Sequence, residues 1–119
     1  MIILACGNRD LDWSDQERIK AVFTEYPKGP QTTLLHGGCR GADRLAAEAA
    51  QFCGWRIREY AADWKHFGRA AGPMRNQKML DEGKPDLVIA FFRRLSGGTF
   101  DMVERARKAE LPIRLVECP

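Results

Sequence analysis

Short apolar runs recur along this chain at regular intervals, and what lies between them has a helical period. Residues 2–6, 32–36 and 85–92 are near-continuous apolar stretches, the pattern of strands covered on both faces in a parallel sheet, and residues 113–116 add a last short one. Residues 55–60 instead alternate, with Trp55 and Ile57 set against Arg56, Arg58 and Glu59, which predicts a half-exposed strand near a sheet edge. Ile19, Val22, Phe23 and Tyr26 follow a capping-box pattern at residues 14–17 and predict a first helix. Ala42, Ala46, Ala49 and Ala50 predict a second over residues 41–53, stopped by Gly54. Pro73 suits the first position of a third, which runs through Arg75, Asn76, Met79 and Leu80 to Gly83 and puts Arg75 and Asn76 in its first turn. A fourth would face inward through Met102, Val103, Ala106 and Ala109. Residues 61–72 mix aromatic, basic and glycine residues with neither period, and are expected to form an irregular loop with a functional role.

Five strands alternating with four helices imply one α/β domain over residues 1–119, built on a parallel sheet of about five strands with helices on both faces and right-handed crossovers. A chain of 119 residues, 45% of them hydrophobic, supports one core and not two. No window approaches a membrane span, and charge follows the first apolar run too soon for a signal peptide, so a cytoplasmic protein without a membrane partner is expected. Cys6, Cys39, Cys53 and Cys118 contain no C-x-x-C pair, and the H-x-x-C formed by His36 and Cys39 lacks a second ligand pair. Free thiols, no metal and no cofactor are the resulting expectations.

The chemistry gathers where strands end. After the second strand come His36, Gly37, Gly38, Cys39, Arg40, Gly41, Ala42 and Asp43, a glycine loop opening a helix. Glycines let backbone approach a ligand closely, and a helix start offers free N–H groups and a positive dipole end, so this junction reads as a phosphate cradle. Asp43 would either accept from a ribose hydroxyl or simply favour the helix start by its charge. Gly7, Asn8 and Arg9 follow the first strand, and Arg93, Arg94, Leu95, Ser96, Gly97, Gly98 and Thr99 follow the fourth. In open α/β sheets a ligand lies at the carboxyl ends of the strands where strand order reverses, so these three loops are expected to converge there. Thirteen of the 19 basic residues are arginine, whose planar forks suit phosphate oxygens, while a net charge of only +3 argues against a dedicated nucleic-acid binder. In the irregular loop, Trp64 could stack on a base beside Asp63 and Arg69.

These residues together resemble a known family. Gly7-x-Arg9-Asp10, His36-Gly37-Gly38-x-Arg40-Gly41-Ala42-Asp43, Ala62-Asp63-Trp64, Gly68-Arg69-Ala70-Ala71-Gly72-Pro73-x-Arg75-Asn76-x-x-Met79 and Gly98-Thr99-x-Asp101-Met102-Val103 resemble the YspA-like branch of the SLOG superfamily over nearly the whole chain. The resemblance implies a Rossmann-like fold that binds nucleotides or nucleotide-derived signals, often in bacteria and their phages, where signalling and defence are the expected settings. It also implies a relation to the LOG phosphoribohydrolases, whose signature pairs an R-x-x-x-M stretch with P-G-G-x-G-T-x-x-E. Arg75 and Met79 match the first element. In the second, Met102 stands at the glutamate's position and Asp101 one place earlier, and a methionine can neither activate water nor stabilise a cationic centre.

Three functions are therefore weighed. The leading one is a binding protein for a nucleotide-derived small molecule, acting as sensor, carrier or sequestering protein through Gly7, Asn8, Arg9, Gly37, Gly38, Arg40, Gly41, Asp43, Asp63, Trp64, Arg69, Arg75, Asn76, Gly97, Gly98 and Thr99. The second is a nucleoside 5'-monophosphate N-glycosidase in which Asp101 or Asp43 replaces the missing glutamate and Arg75 steadies the ribose phosphate. The third is a single-stranded nucleic-acid module resting on the arginines and the aromatic loop. Apolar helix faces and the resemblance add the expectation of a homo-oligomer.

Overall fold

The computed structural model describes residues 1–94 and 97–119, so residues 95 and 96 of the third glycine loop lie outside the described residues. Five strands, β1 (Ile2–Gly7), β2 (Thr33–His36), β3 (Arg56–Glu59), β4 (Leu87–Phe92) and β5 (Ile113–Glu117), form one sheet in the order β3-β2-β1-β4-β5, with every neighbouring pair parallel. This is the α/β parallel architecture that the apolar runs predict. The order grows outward in opposite directions from β1, so the reversal falls between β1 and β4. β3 is an edge strand, as its alternation requires.

Alternate residues of the central strands feed two separate cores. Ile3, Ala5, Leu34, Ile89 and Phe91 pack on one face against α1 (Gln16–Phe23) and α2 (Ala42–Phe52), where Phe23 stacks on Trp55 at 4.6 Å between ring centroids. Leu4, Cys6, Leu35, Val88 and Ala90 pack on the other. There they meet Met79 and Leu80 of α4 (Ala71–Gly83) and Met102, Val103 and Ala106 of α5 (Gly97–Lys108). The small residues of α2 allow its backbone to lie close to the sheet, as their spacing suggests.

Local detail departs from the sequence reading in four places. The first helix is not capped at Ser14: Asp12 and Asp15 form the reciprocal cap of a 3-10 turn, Trp13–Asp15, that leads into α1. Residues 61–72 are not irregular, because they hold α3 (Trp64–Phe67), a 3-10 turn (Gly68–Ala70) and the start of α4. Asp63 supplies the local reason, its carboxylate accepting the His66 amide and the His66 ring while every α3 side chain stays outside the core, so no apolar period marks the segment. α4 accordingly begins two residues before Pro73, which sits in the first turn where its missing N–H has no intrahelical partner to lose, and Arg75 and Asn76 move to the second turn. Ala109 lies beyond the end of α5 and is exposed.

One buried residue ties the carboxyl ends of the strands together. Asn8 donates its amide to Phe91 O at 3.1 Å and its carbonyl accepts the Leu11 and Ala42 amides at 3.5 and 3.1 Å. Its side-chain Oδ1 accepts the amides of Arg93 and Arg94 at 2.7 and 3.0 Å. The loops after β1 and β4 and the start of α2 are thereby held in one arrangement. Nearby, β2 ends at His36, a buried ring whose Nδ1 accepts the Gly38 amide at 3.0 Å and which is therefore neutral with its proton on Nε2. Burial lowers its pKa below the usual 6.5, against the pull of Asp43 and Glu59.

Two outcomes are expected. Asn8→Ala strands two amides and should cost about 2–4 kcal/mol in urea denaturation, while Phe52→Ala, at an exposed side chain, should stay within about 0.5 kcal/mol. Because the folded pKa of His36 is depressed, its contribution to stability is complete above the unfolded value near 6.5 and is lost as pH falls towards the lower folded value. Wild type should therefore lose more stability than His36→Gln between pH 7.5 and 5, read from denaturation midpoints at each pH.

Candidate functional site

A cleft of about 480 Å³ opens at the carboxyl ends of the strands, beside the β1/β4 reversal. Its floor includes Ala5, Cys6 and Met79, and its walls come from Gly7, Asn8, Arg9 and Asp10 after β1, from Gly37, Cys39 and Arg40 after β2, and from Asp43 on α2. Arg75 and Asn76 of α4, Arg94 after β4, and Gly97, Gly98 and Thr99 of α5 complete it. The three glycine loops thus border one volume, and they do so because β1 lies between β2 and β4.

Arg75 is the brace of this cleft. Its Nη1 donates to Gly37 O at 2.6 Å and to Tyr60 O at 3.3 Å, and its Nε donates to Asn76 Oδ1 at 3.0 Å. Asn76 in turn donates Nδ2 to Gly98 O at 3.4 Å and to Asp101 Oδ2 at 2.9 Å. One turn of α4 therefore fixes both the loop after β2 and the start of α5. Gly37 has no room for a side chain, since a Cβ there would run into the Arg75 guanidinium. At Gly41, with φ +77°, a Cβ would approach Arg9 O at 2.5 Å and Asn8 O at 2.6 Å, so the backbone of the first loop packs directly on the helix start.

The amides of the glycine loop after β2 already have acceptors. Asp43 Oδ2 takes the Gly37 amide at 3.2 Å and the Cys39 amide at 3.1 Å, while Gly38 donates to His36. Burial pushes the Asp43 carboxyl above its usual range against those same amides and the nearby His36 and Arg75. By contrast Arg40 is exposed at the cleft wall with no hydrogen-bond partner among the described residues. Arg9 lies with its guanidinium 5.6 Å from the centre of the half-exposed Trp64 ring, which brings the α3 aromatic up to the cleft mouth without making it part of the lining. Arg94 pairs with Asp10 at 3.2 Å.

Other expected site residues stand elsewhere. Gly38 and Gly41 shape the loop by their positive φ angles rather than lining the cleft, Asp63 caps α3, and Arg69 is exposed on the following turn. Asp101 faces a second, smaller groove with Gln77, Glu104, Arg105 and Lys108. Burial raises its carboxyl, but hydrogen bonds from Arg105 Nε at 2.8 Å and from Asn76 outweigh that and hold it below the usual range. Met102 is fully buried against the sheet. The carboxylates on the main cleft are therefore Asp10 and Asp43, not Asp101, among the described residues. Ala5, Cys6, Asp10, Cys39, Met79 and Arg94 line the cleft without having been among the expected ligand-binding residues, although Met79 belongs to the R-x-x-x-M match. Met79 was accessible from helical spacing, one turn beyond Arg75, and Arg94 from its place beside the third glycine loop. Among the described residues no three His, Cys, Asp or Glu side chains group to hold a metal, and no helix is long and apolar enough to cross a membrane.

Comparison with known proteins agrees with the loop motifs. A family model for the YspA, cpYpsA-related SLOG family matches residues 1–67, which carry β1, β2 and the loops that follow them. The gene 61 protein of Mycobacterium phage D29 is 32% identical over 122 residues, spanning 93% of this chain and 92% of its own length, so that similarity extends through Arg75 and the start of α5 as well. With more than half of the chain inside the family match and a relative similar from end to end, the chain belongs to the YspA, cpYpsA-related SLOG family.

Proposed function

We propose that this chain binds a nucleotide-derived small molecule in the cleft at the β1/β4 reversal, as a sensor, carrier or sequestering protein of a bacterial or phage signalling or defence system. The observation that carries the reading is the convergence of four arginines, Arg9, Arg40, Arg75 and Arg94, with the amino end of a twelve-residue helix around one volume of about 480 Å³. That volume falls within the ~300–1,000 Å³ of small-molecule sites. Guanidinium forks and helix-start N–H groups favour an anionic group, and an aromatic ring at the mouth favours a flat one. A ligand with a phosphate at one end and a base at the other satisfies both. Binding is preferred to glycosidic hydrolysis because Met102 is buried, Asp101 is engaged with Arg105 outside the cleft, and Asp43, on the cleft, is tied by Oδ2 to the Gly37 and Cys39 amides. A homo-oligomer belongs to the same proposal, since Trp13, 72% exposed, leaves a large apolar surface uncovered.

The test mixes purified protein with a panel of nucleotides and nucleotide-sugar derivatives, isolates the bound fraction, denatures it and identifies what is released by mass spectrometry. An intact nucleotide recovered in stoichiometric amount is the expected result, and release of free base with sugar phosphate would replace binding by hydrolysis. For the recovered compound, Arg40→Ala should weaken affinity by about tenfold, the effect of one charge-assisted hydrogen bond, with Phe52→Ala unchanged in calorimetric titration.

A further inference from the structure

The glycine loop after β2 has the sequence of a phosphate cradle and the hydrogen bonding of something else. Its Gly37 and Cys39 amides point at Asp43 Oδ2, and its Gly38 amide points at His36 Nδ1. An incoming phosphate would have to displace a carboxylate that is itself anionic and held by two hydrogen bonds. The loop therefore repels the group that it is expected to attract.

The same carboxylate has a second oxygen. Asp43 is only 8% exposed, it lines the cleft, and among the described residues its Oδ1 accepts no hydrogen bond. An acceptor open to the cleft with no protein donor is a contact point for a ligand that brings one. The donor can be narrowed by what surrounds it. Arg9, Arg40, Arg75 and Arg94 line the same cleft and disfavour a cationic group. Pairing with a guanine edge needs both carboxylate oxygens in the plane of the base, and Oδ2 is already committed to two amides. A neutral single-point donor remains, and a sugar hydroxyl is that donor.

We propose that Asp43 is the specificity residue of the cleft, accepting a ribose hydroxyl at Oδ1, so that the chain selects ribonucleotides over deoxyribonucleotides and leaves the phosphate to the cleft's arginines and the start of α5. This rests on the nucleotide-binding reading above and narrows its ligand class. Asp43 does two jobs with its two oxygens: Oδ2 shapes the loop and Oδ1 reads the sugar.

The experiment titrates wild type and Asp43→Asn with AMP, GMP, CMP and UMP, and with the 2'-deoxy and 3'-deoxy counterpart of each. Asparagine keeps an oxygen for the Gly37 and Cys39 amides and replaces the free acceptor by an N–H donor, so the loop is retained while the reading group is lost. Wild type is expected to bind at least one ribonucleotide about tenfold or more tightly than one of its deoxy counterparts, and Asp43→Asn to reduce that ratio to near one. Equal affinity of wild type for ribo and both deoxy forms overturns the hydroxyl assignment while leaving nucleotide binding intact. Discrimination that survives in Asp43→Asn overturns it too. Failure of wild type to bind any of the twelve compounds overturns the assignment for mononucleotides and leaves the binding reading to the wider panel above, and the wild-type comparison decides even if the variant does not fold.

Discussion

Asn8 is the point through which the carboxyl edge of this sheet is held. In an open parallel sheet the strands diverge into separate loops, and the backbone groups of those loops have no ladder to join. Here a single buried side chain accepts two amides from the loop after β4, while the same residue's main chain bonds to β4 and to the first residue of α2. Five hydrogen bonds converge on one residue in a low-dielectric setting, where each is strong and each is expensive to leave unmade. The cleft exists as a defined volume because the loops on either side of it share this knot.

Arg75 plays the corresponding part from the opposite face of the sheet. It reaches across to Gly37 O and Tyr60 O and fixes Asn76, which holds the start of α5. A guanidinium engaged in this way is not free to chase a ligand, but it is rigidly placed, and a positioned charge recognises an anion without ordering a side chain afterwards. Exposed charge is instead supplied by Arg40 and by Arg9, which lies over Trp64. The cleft thus combines a braced interior with exposed charge at its mouth.

Family membership and residue chemistry agree at the level of fold and diverge at one loop. Two glycines of the loop after β2 are explained by close packing: Gly37 against the Arg75 guanidinium and Gly41 against the backbone of Arg9 and Asn8. Neither reason requires a phosphate beside them. A motif can therefore persist for the sake of loop geometry while the ligand contact is made by the neighbouring Asp43, and the assignment of chemistry has to be made from hydrogen bonds rather than from the spacing of small residues.

The chain's own pattern determined the five strands, the burial of β1, β2 and β4 on both faces, the edge position of β3 and the place where ligand loops gather, because hydrophobic period and strand-helix alternation constrain a parallel sheet tightly. It also pointed to Arg9, Arg40, Arg75, Asn76 and to Gly7, Gly37, Gly97 and Gly98 at the cleft. Only the tertiary structure decided that residues 64–70 are helical, since that segment is shaped by the Asp63 cap and touches no core that would leave a period in the sequence. Only it showed Asp101 turned towards Arg105 and Asp43 turned back onto the Gly37 and Cys39 amides. Which partner a carboxylate finds depends on groups far away in the chain or across a loop, and such pairings leave no local signal for spacing to reveal.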